Sequence, residues 1–174
     1  MYLNDVLDFI FRFMEQGGPV LWFIAALTFA LWTLVFERFW YFNTSLRQDL
    51  DSAISTWEAR RERKSWNARQ IRRQLISQAN LKINAGLPMI KTLVALAPLF
   101  GLMGTVTGMI EVFNIMAVTG GGDAKSMAGG VSKATIPTMA GMVAALSGVF
   151  ANTYVTQIAE RESVLLEDHL TTDH

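Results

Sequence analysis

Three long runs of apolar residues dominate the pattern of this chain. The first, PVLWFIAALTFALWTLVF, covers 19–36, the second, TLVALAPLFGLMGTVTGMI, covers 92–110, and the third covers 134–158; none contains a formal charge. At about 1.5 Å rise per residue, each run approaches or exceeds the roughly 30 Å thickness of a bilayer core. A soluble all-α core is the alternative for such runs. Because charged residues bound all three, the pattern instead predicts three transmembrane helices.

Lysine and arginine are distributed unevenly between the two sides of these spans. The 42–88 connection holds most of them, whereas Arg12, Lys125 and Lys133 are the ones on the opposite side. Positively charged connections stay on the cytoplasmic side of a membrane. We therefore expect a periplasmic N-terminus and a cytoplasmic C-terminus. The predicted order is an outer-face amphipathic helix at 1–18, transmembrane helix 1 at 19–41, a cytoplasmic helical region at 42–88, transmembrane helix 2 at 89–116, a periplasmic Gly-rich loop at 117–133, transmembrane helix 3 at 134–158 and a cytoplasmic tail at 159–174.

The segment before the first span is amphipathic. One stripe of its helical projection carries Leu3, Leu7, Ile10 and Met14, while Asp5, Asp8 and Arg12 lie elsewhere. Acidic residues are the wrong charge for the start of a signal peptide, so we expect the first span to be retained. Two interpretations of the amphipathic helix stay open: it lies in the outer membrane interface, or it packs on a protein partner. Gly17-Gly18-Pro19 predicts a break before the span.

The connection after the first span also has helical periodicity. Its two apolar stripes consist of Leu46, Leu50, Ile54 and Trp57, and of Ile71, Leu75 and Ala79. These stripes predict helices that extend spans one and two into the cytoplasm as a stalk. The polar stretch RRERKSWNARQIRR lies between them. A basic cluster with tryptophans is also found in RNA-binding proteins, but the neighbouring spans favour positive-inside anchoring.

Small residues recur at close helical spacing in the second and third spans. The candidate packing positions are Gly101, Gly104 and Gly108 in the second span, and Gly141, Ala144 and Gly148 in the third. Such spacing lets the backbones of membrane helices approach closely. Two helices of this kind in a short chain predict tight packing on copies of itself. A closed ring of identical subunits satisfies that requirement.

The polar residues of these two spans are mostly threonines. Thr105 lies midway along the second span, and Thr135 and Thr138 lie in the third. A membrane threonine often bonds only the carbonyl one turn earlier, and the alternative is that Thr105 and Thr138 face a polar lumen. Neither 92–110 nor 134–158 contains Asp, Glu, Lys, Arg or His, although a proton pathway normally needs such a residue. Glu111, at the outer boundary, is the nearest candidate, so either the protein moves no protons or a partner chain supplies the titrating carboxylate.

The composition excludes several kinds of site. The chain has no cysteine, which excludes disulfides, thiolate ligands and cysteine nucleophiles. The two histidines are His169 and His174, both in the last six residues. Lysine and arginine balance aspartate and glutamate, so no net field favours nucleic acid. GGGDAKSMAGG lacks the Gly-Lys pair of a phosphate-binding loop. We therefore expect neither an enzyme nor a cofactor or metal site.

Two stretches resemble the paired signatures of the MotA/TolQ/ExbB proton-channel family. They are APLFGLMGTVTGMIEVF at 97–113 and GVSKATIPTMAGMVAAL at 130–146. The resemblance is closest to the short ExbB proteins of TonB systems, and it implies an inner-membrane homopentamer whose second and third spans line a pore. That pore would enclose the helices of an ExbD-like dimer, whose aspartate takes up and releases protons, and rotation would be passed to a TonB-like protein.

The resemblance also implies roles for particular residues. Thr105 and Thr138 correspond to the lumen-facing threonines beside the partner aspartate, with Thr135 and Glu111 as further pore-lining candidates. Lys133 stands at the outer pore mouth, where the family often has an acidic residue, and Ser147 stands where many members have proline. A TolQ-type role in envelope maintenance is the nearest alternative, a flagellar stator is disfavoured by the three-span order, and a non-conducting scaffold is the alternative from another class.

Overall fold

The computed structural model describes residues 2–59, 65–120 and 124–170, and these ranges are helical apart from short turns. The helices are α1 (Tyr2–Glu58), α2 (Trp66–Ile83), α3 (Leu87–Thr119) and α4 (Ala124–His169). Three stretches of these helices are long and apolar enough to cross a membrane. The all-α architecture and the three long apolar helices agree with the prediction.

Helix α1 is interrupted at one residue. Gly18 has φ 69° and ψ −169°, a backbone conformation that residues other than glycine rarely adopt. Pro19 follows directly and has no backbone N–H to continue the preceding helix. The break predicted in this segment is confirmed at Gly18. Beyond Pro19 the helix continues through Glu58, which confirms that the first span extends as a helix past 41.

Helix α2 is separate from both of its neighbours. The Ser65 hydroxyl accepts a hydrogen bond from the Ala68 backbone N–H at 3.2 Å and caps the first turn. The helix ends at Ile83, and Gly86, with φ 77°, lies in the turn before α3. The stalk prediction has the second span continue into the cytoplasm as one helix. In the structure this turn interrupts the helix, so α2 does not extend the second span. The cluster Arg60, Arg61, Arg63 and Lys64 lies outside the described residues.

The segment 117–133 is more helical than its glycine content suggests. Helix α3 continues to Thr119, Gly120 follows with φ 74°, and α4 already begins at Ala124. Two of the glycines expected in a loop are part of α4. A Cβ on Gly130 would lie 2.5 Å from Cγ2 of Val112, so this glycine serves close packing of two helices rather than flexibility.

The chain divides into two compact units. Unit 1 contains Met1–Trp32 and Thr92–Val149, and unit 2 contains Thr33–Lys91 and Phe150–His174. The core of unit 1 is formed by Val20, Leu21, Ile24, Leu27, Ala97 and Ala144. The core of unit 2 is formed by Trp57, Ala68, Ala79, Leu166 and Leu170. The two apolar stripes predicted for 42–88 both contribute to the core of unit 2, through Trp57 and Ala79.

Polar contacts reinforce unit 2 at two places. Near the start of the α1 extension, Asp49 accepts hydrogen bonds from the Tyr41 hydroxyl at 2.8 Å and from the Lys82 ammonium at 2.7 Å. At the end of α4, Arg72 donates through Nε to the Leu170 carbonyl and through Nη2 to the Glu167 carbonyl at 3.1 Å. The last carbonyls of a helix have no partners within it; Arg72 satisfies that of Glu167, together with the carbonyl of Leu170 directly after the helix.

Replacing Arg72 by alanine is expected to loosen the last turn of α4. Because two charge-assisted hydrogen bonds are lost from a half-buried side chain, we expect unit 2 to lose about 1–2 kcal/mol of stability. Hydrogen exchange of the amides in 163–170 measures this directly and should accelerate. Arg69→Ala, which removes an exposed arginine one turn away, is the matched control. Equal exchange in both variants would refute the capping role.

Candidate functional site

The second and third spans meet along a row of small residues in unit 1. Helices α3 and α4 run antiparallel, so that Gly108 lies against Ala134, Gly104 against Pro137 and Gly101 against Thr138. Further along, Gly141 lies against Ala97, and Gly148 against Val94 and Leu31. Ala144 belongs to the core of unit 1. These candidate packing residues therefore all make contacts within one chain.

At Gly101 and Gly141 the nearest atoms of the facing helix are backbone atoms. A Cβ on Gly101 would lie 3.0 Å from both the Pro137 carbonyl oxygen and the Thr138 Cα. A Cβ on Gly141 would lie 2.6 Å from the Ala97 carbonyl oxygen and 3.1 Å from the Gly101 Cα. These neighbours are backbone atoms, which cannot rotate away as the end of a side chain can. The two helices can keep this separation only if position 141 is glycine, whereas a Cβ at position 101 would require them to move apart by a few tenths of an ångström.

The close approach brings Thr105 and Thr138 together. Thr138 Oγ1 donates to the Gly101 carbonyl at 3.0 Å, which is a hydrogen bond from α4 to α3. Thr105 Oγ1 is hydrogen-bonded to Thr138 Oγ1 and lies 3.4 Å from the same carbonyl. Both side chains are half-buried. Back-bonding within one helix, the simpler sequence interpretation, describes the long contact from Thr105 to the Gly101 carbonyl but not the bond that Thr138 makes to the same carbonyl from the facing helix.

The distances favour one hydrogen-bond polarity for the cluster. A hydroxyl has one proton to donate and two lone pairs that accept. If Thr138 donates to Gly101, the bond between the two hydroxyls must use the Thr105 proton, and lone pairs of Thr105 Oγ1 remain free. The reverse arrangement would have Thr105 donate over 3.4 Å, which is longer than an ordinary hydrogen bond. The geometry therefore favours a cluster in which Thr105 Oγ1 can accept a hydrogen bond from another group.

The other candidate pore residues lie apart from this cluster. Thr135 is exposed and donates to the Ser132 carbonyl of its own helix at 2.8 Å. Glu111 and Lys133 are both exposed. Glu111 lies six residues beyond Thr105 on α3, about 9 Å along the axis, and Lys133 lies five residues before Thr138, about 7.5 Å. All three are on the side of the threonine cluster that faces the α3–α4 connection.

Two participants in the cluster were not identified from the sequence. The first is the Gly101 carbonyl, which accepts the hydrogen bond from Thr138. The second is Pro137, whose ring fills the space beside Gly104 and is fully buried. The sequence contains a signal for each participant: Gly101 lies four residues before Thr105, and Pro137 is adjacent to Thr138. These signals identify the two participants only when the register of the two helices is known.

Much apolar side-chain surface of unit 1 is exposed among the residues that the structure describes. Leu102 and Val106, which flank Thr105, are 58% and 53% exposed. Surface of this composition is typical of helices that contact lipid or other membrane helices. The threonine cluster is thus flanked by apolar side chains. In such surroundings a hydrogen bond is not weakened by competition with bulk water.

Comparison with known proteins gives consistent matches. Residues 42–168 match the family model described as the MotA/TolQ/ExbB proton channel family. Putative biopolymer transport protein ExbB-like 1 of Synechocystis is 32% identical over 179 residues, covering 84% of this chain and 70% of that protein. Biopolymer transport protein ExbB of Xanthomonas campestris is 31% identical over 86 residues, or 49% of this chain and 34% of that protein. Tol-Pal system protein TolQ of Pseudomonas aeruginosa is 34% identical over 79 residues, or 45% and 34%.

Proposed function

The chain belongs to the MotA/TolQ/ExbB proton channel family, and from that premise we propose that it is the pore-forming subunit of an ExbB-type motor. In this proposal the motor is driven by the proton-motive force and, with an ExbD-like partner, energises TonB-dependent import across the outer membrane. The chain is a multi-pass membrane protein of a family of channels and energisers. Its proposed location is the bacterial inner membrane, with a periplasmic N-terminus and a cytoplasmic C-terminus.

One observation carries the proposal: the threonine cluster is a polar site in two spans that have no acidic, basic or histidine side chain of their own. Thr105 and Thr138 share the Gly101 carbonyl, whereas 92–110 and 134–158 contain no Asp, Glu, Lys, Arg or His. A proton pathway through these spans needs a titrating group from another chain. A pair of ExbD-like single-span helices, each with one aspartate, supplies that group in the proposed complex.

The polarity of the cluster suggests how it treats such a carboxyl. A protonated carboxyl has one O–H to donate, and the free lone pairs of Thr105 Oγ1 accept it. A carboxylate only accepts hydrogen bonds, so it loses this interaction when it releases its proton. The two protonation states of the partner therefore prefer different positions around the ring of subunits. A pentamer with its second and third spans around the partner helices turns that preference into stepwise rotation.

A TolQ-type role in envelope maintenance is the second candidate. The TolQ protein of Pseudomonas aeruginosa matches this chain at 34% identity over 79 residues, close to the values for the ExbB proteins. Both roles use the same subunit architecture, and the threonine cluster supports them equally. The two roles differ in the periplasmic partner, which is a TonB-like protein in the ExbB-type role. Restoration of TonB-dependent uptake or of envelope integrity in the corresponding deletion strains separates the two.

Native mass spectrometry of the detergent-solubilised protein, alone and co-expressed with a single-span partner, tests the proposal. We expect five copies of the chain that retain two partner chains, because the partner supplies the group that the spans lack. Substituting the intramembrane aspartate of the partner by asparagine should preserve this assembly and abolish transport. A monomer or dimer that binds no such partner would instead support a non-conducting membrane scaffold.

A further inference from the structure

A long cavity of unit 2 lies along one face of α2. Its volume is about 810 Å³, and it is lined by α2, by the turn before α3 and by the end of α4. Its lining includes a polar ladder, which consists of Arg73, Ser77, Asn80 and Asn84. At about 100° and 1.5 Å per residue, these side chains fall within an arc of about 60° and follow each other over roughly 16 Å. The cavity therefore presents a row of hydrogen-bonding groups on one helix face.

Much of the hydrogen-bonding capacity of the polar ladder is unused within the described part of the chain. Asn80 Oδ1 is buried there without a hydrogen-bond partner, and the side chains of Arg73 and Ser77 make neither a hydrogen bond nor an ion pair. Asn84 Nδ2 donates to the Asn80 carbonyl at 2.9 Å, which leaves Asn84 Oδ1 able to accept. A buried acceptor without a partner destabilises a fold, so the orientation of the Asn80 amide calls for an explanation.

The charges of the cavity favour an anionic occupant. Arg72 and Arg73 line it, and Glu167 is the acidic residue among the described lining residues. Helix α2 itself contains no Asp or Glu, and Arg69 and Lys82 add to its positive charge. The Arg72 guanidinium is held in place by its bonds to the end of α4. Its remaining N–H groups and those of Arg73 can donate to a carboxylate.

We propose that this cavity binds an acidic peptide in extended conformation, with its carboxylates at Arg72 and Arg73 and its backbone along Asn80 and Asn84. An asparagine amide can donate to a peptide carbonyl and accept from a peptide N–H. The two asparagines are about 6 Å apart along α2, close to the roughly 6.6 Å between alternate residues of an extended chain. Turning the Asn80 amide toward the peptide gives its Oδ1 the partner that it lacks. This inference does not depend on the proposed function.

A lipid headgroup or a free phosphate fits the cavity less well. A phosphate group without N–H donors leaves Asn80 Oδ1 unsatisfied. Helix α2 packs along the extension of α1, which continues the first span away from the membrane. Arg73 lies roughly 16 Å along α2 from Asn84 and the turn into α3, whereas the headgroup layer on each side of a bilayer is about 5–8 Å thick. The charged end of the cavity is therefore beyond the reach of headgroups.

Fluorescence anisotropy with a labelled octapeptide of alternating glutamate and alanine, added to the full chain in detergent, tests the binding. We expect saturable binding that Arg73→Ala weakens about tenfold, because a charge-assisted hydrogen-bonding partner is lost. Glu167→Gln should strengthen binding, since it removes the opposing carboxylate. Arg69→Ala, which removes an exposed arginine one turn away and outside the cavity lining, is the control and should bind normally. Absence of binding overturns the proposal, and so does an equal loss in the Arg69 variant, which would indicate general attraction to the positive charge of α2.

Asn80→Ala gives a second test, because this substitution should separate binding from stability. It removes the unsatisfied acceptor and introduces a better helix former, so the chain should unfold at a higher temperature. Its affinity for the octapeptide should nevertheless fall several-fold. Methylation of the backbone nitrogens of the octapeptide should cause the same loss with the unmodified chain and no further loss with the Asn80 variant. Unchanged affinity in the Asn80 variant, or displacement of the octapeptide by equal concentrations of inorganic phosphate or short-chain phosphatidylglycerol, would overturn peptide recognition.

Discussion

Gly141→Leu should destabilise the folded protein severely, although leucine is a far better helix former than glycine. A Cβ at this position would lie 2.6 Å from the Ala97 carbonyl oxygen, and leucine adds three further carbons. Overpacking of a well-packed site costs about 1–3 kcal/mol even where side chains can adjust. Here the obstruction is backbone, so we expect a loss of at least about 3 kcal/mol of stability, or roughly a hundredfold decrease in the folding equilibrium constant. Size-exclusion profiles and thermal unfolding in detergent measure the loss.

Gly129→Leu isolates the packing effect from the change in helix propensity. Both substitutions remove a helical glycine from α4 and favour the helix by roughly 0.8–1 kcal/mol. No atom lies within 4 Å of a Cβ at Gly129, whereas Gly141 faces α3. The Gly129 variant should therefore assemble normally. If Gly141→Leu assembles equally well, the close approach of α3 and α4 is not required, and the geometry of the threonine cluster has no support.

The elements that follow from local chemistry were predictable from the sequence. Uncharged runs of membrane length identify three helices because apolar length alone sets that requirement. Gly18 before Pro19 breaks a helix because of those two residues alone: glycine tolerates the unusual backbone conformation, and proline has no backbone N–H to continue the preceding helix. The stripe ending at Trp57 is amphipathic over several turns, and Trp57 is indeed buried in the core of unit 2. The MotA/TolQ/ExbB family was also predicted from two short motifs, and the family match over 42–168 confirms it.

Features that depend on a neighbouring helix were not predictable in the same way. A row of small residues such as Gly104 and Gly108 indicates that something approaches closely, but a contact within the chain and a contact with another copy need the same spacing. The structure accounts for the row by contacts within the chain. Gly129 and Gly130 suggested a loop because glycine is a weak helix former. In α4 a neighbouring helix overrides that preference at Gly130, which packs on Val112.

Thr138→Val should reduce proton-motive-force-dependent uptake by about ten- to a hundredfold while the assembled complex keeps its size. Valine matches threonine in shape but has no hydroxyl, so the bond to the Gly101 carbonyl and the fixed direction of the Thr105 proton are both lost. The Gly101 carbonyl retains the backbone N–H one turn later in α3, so the fold loses little. A hydrogen-bonded site of this kind contributes about 1.5–3 kcal/mol to a charged or proton-donating partner, which corresponds to the stated range.

Three matched variants distinguish this role from general damage to the membrane helices. Thr138→Ser keeps the hydroxyl and should restore most uptake, whereas Thr105→Val removes the free acceptor and should be as defective as Thr138→Val. Thr107→Val removes a hydroxyl that donates to the Met103 and Gly104 carbonyls of its own helix and should have no effect. If uptake falls equally in the Thr107 variant, the loss follows from removing any polar residue of the span and is not specific to the threonine cluster. In the favoured arrangement Thr105 donates to Thr138 and Thr138 donates to the Gly101 carbonyl, so the two hydroxyls of the cluster, unlike that of Thr107, can set the position of a partner's proton.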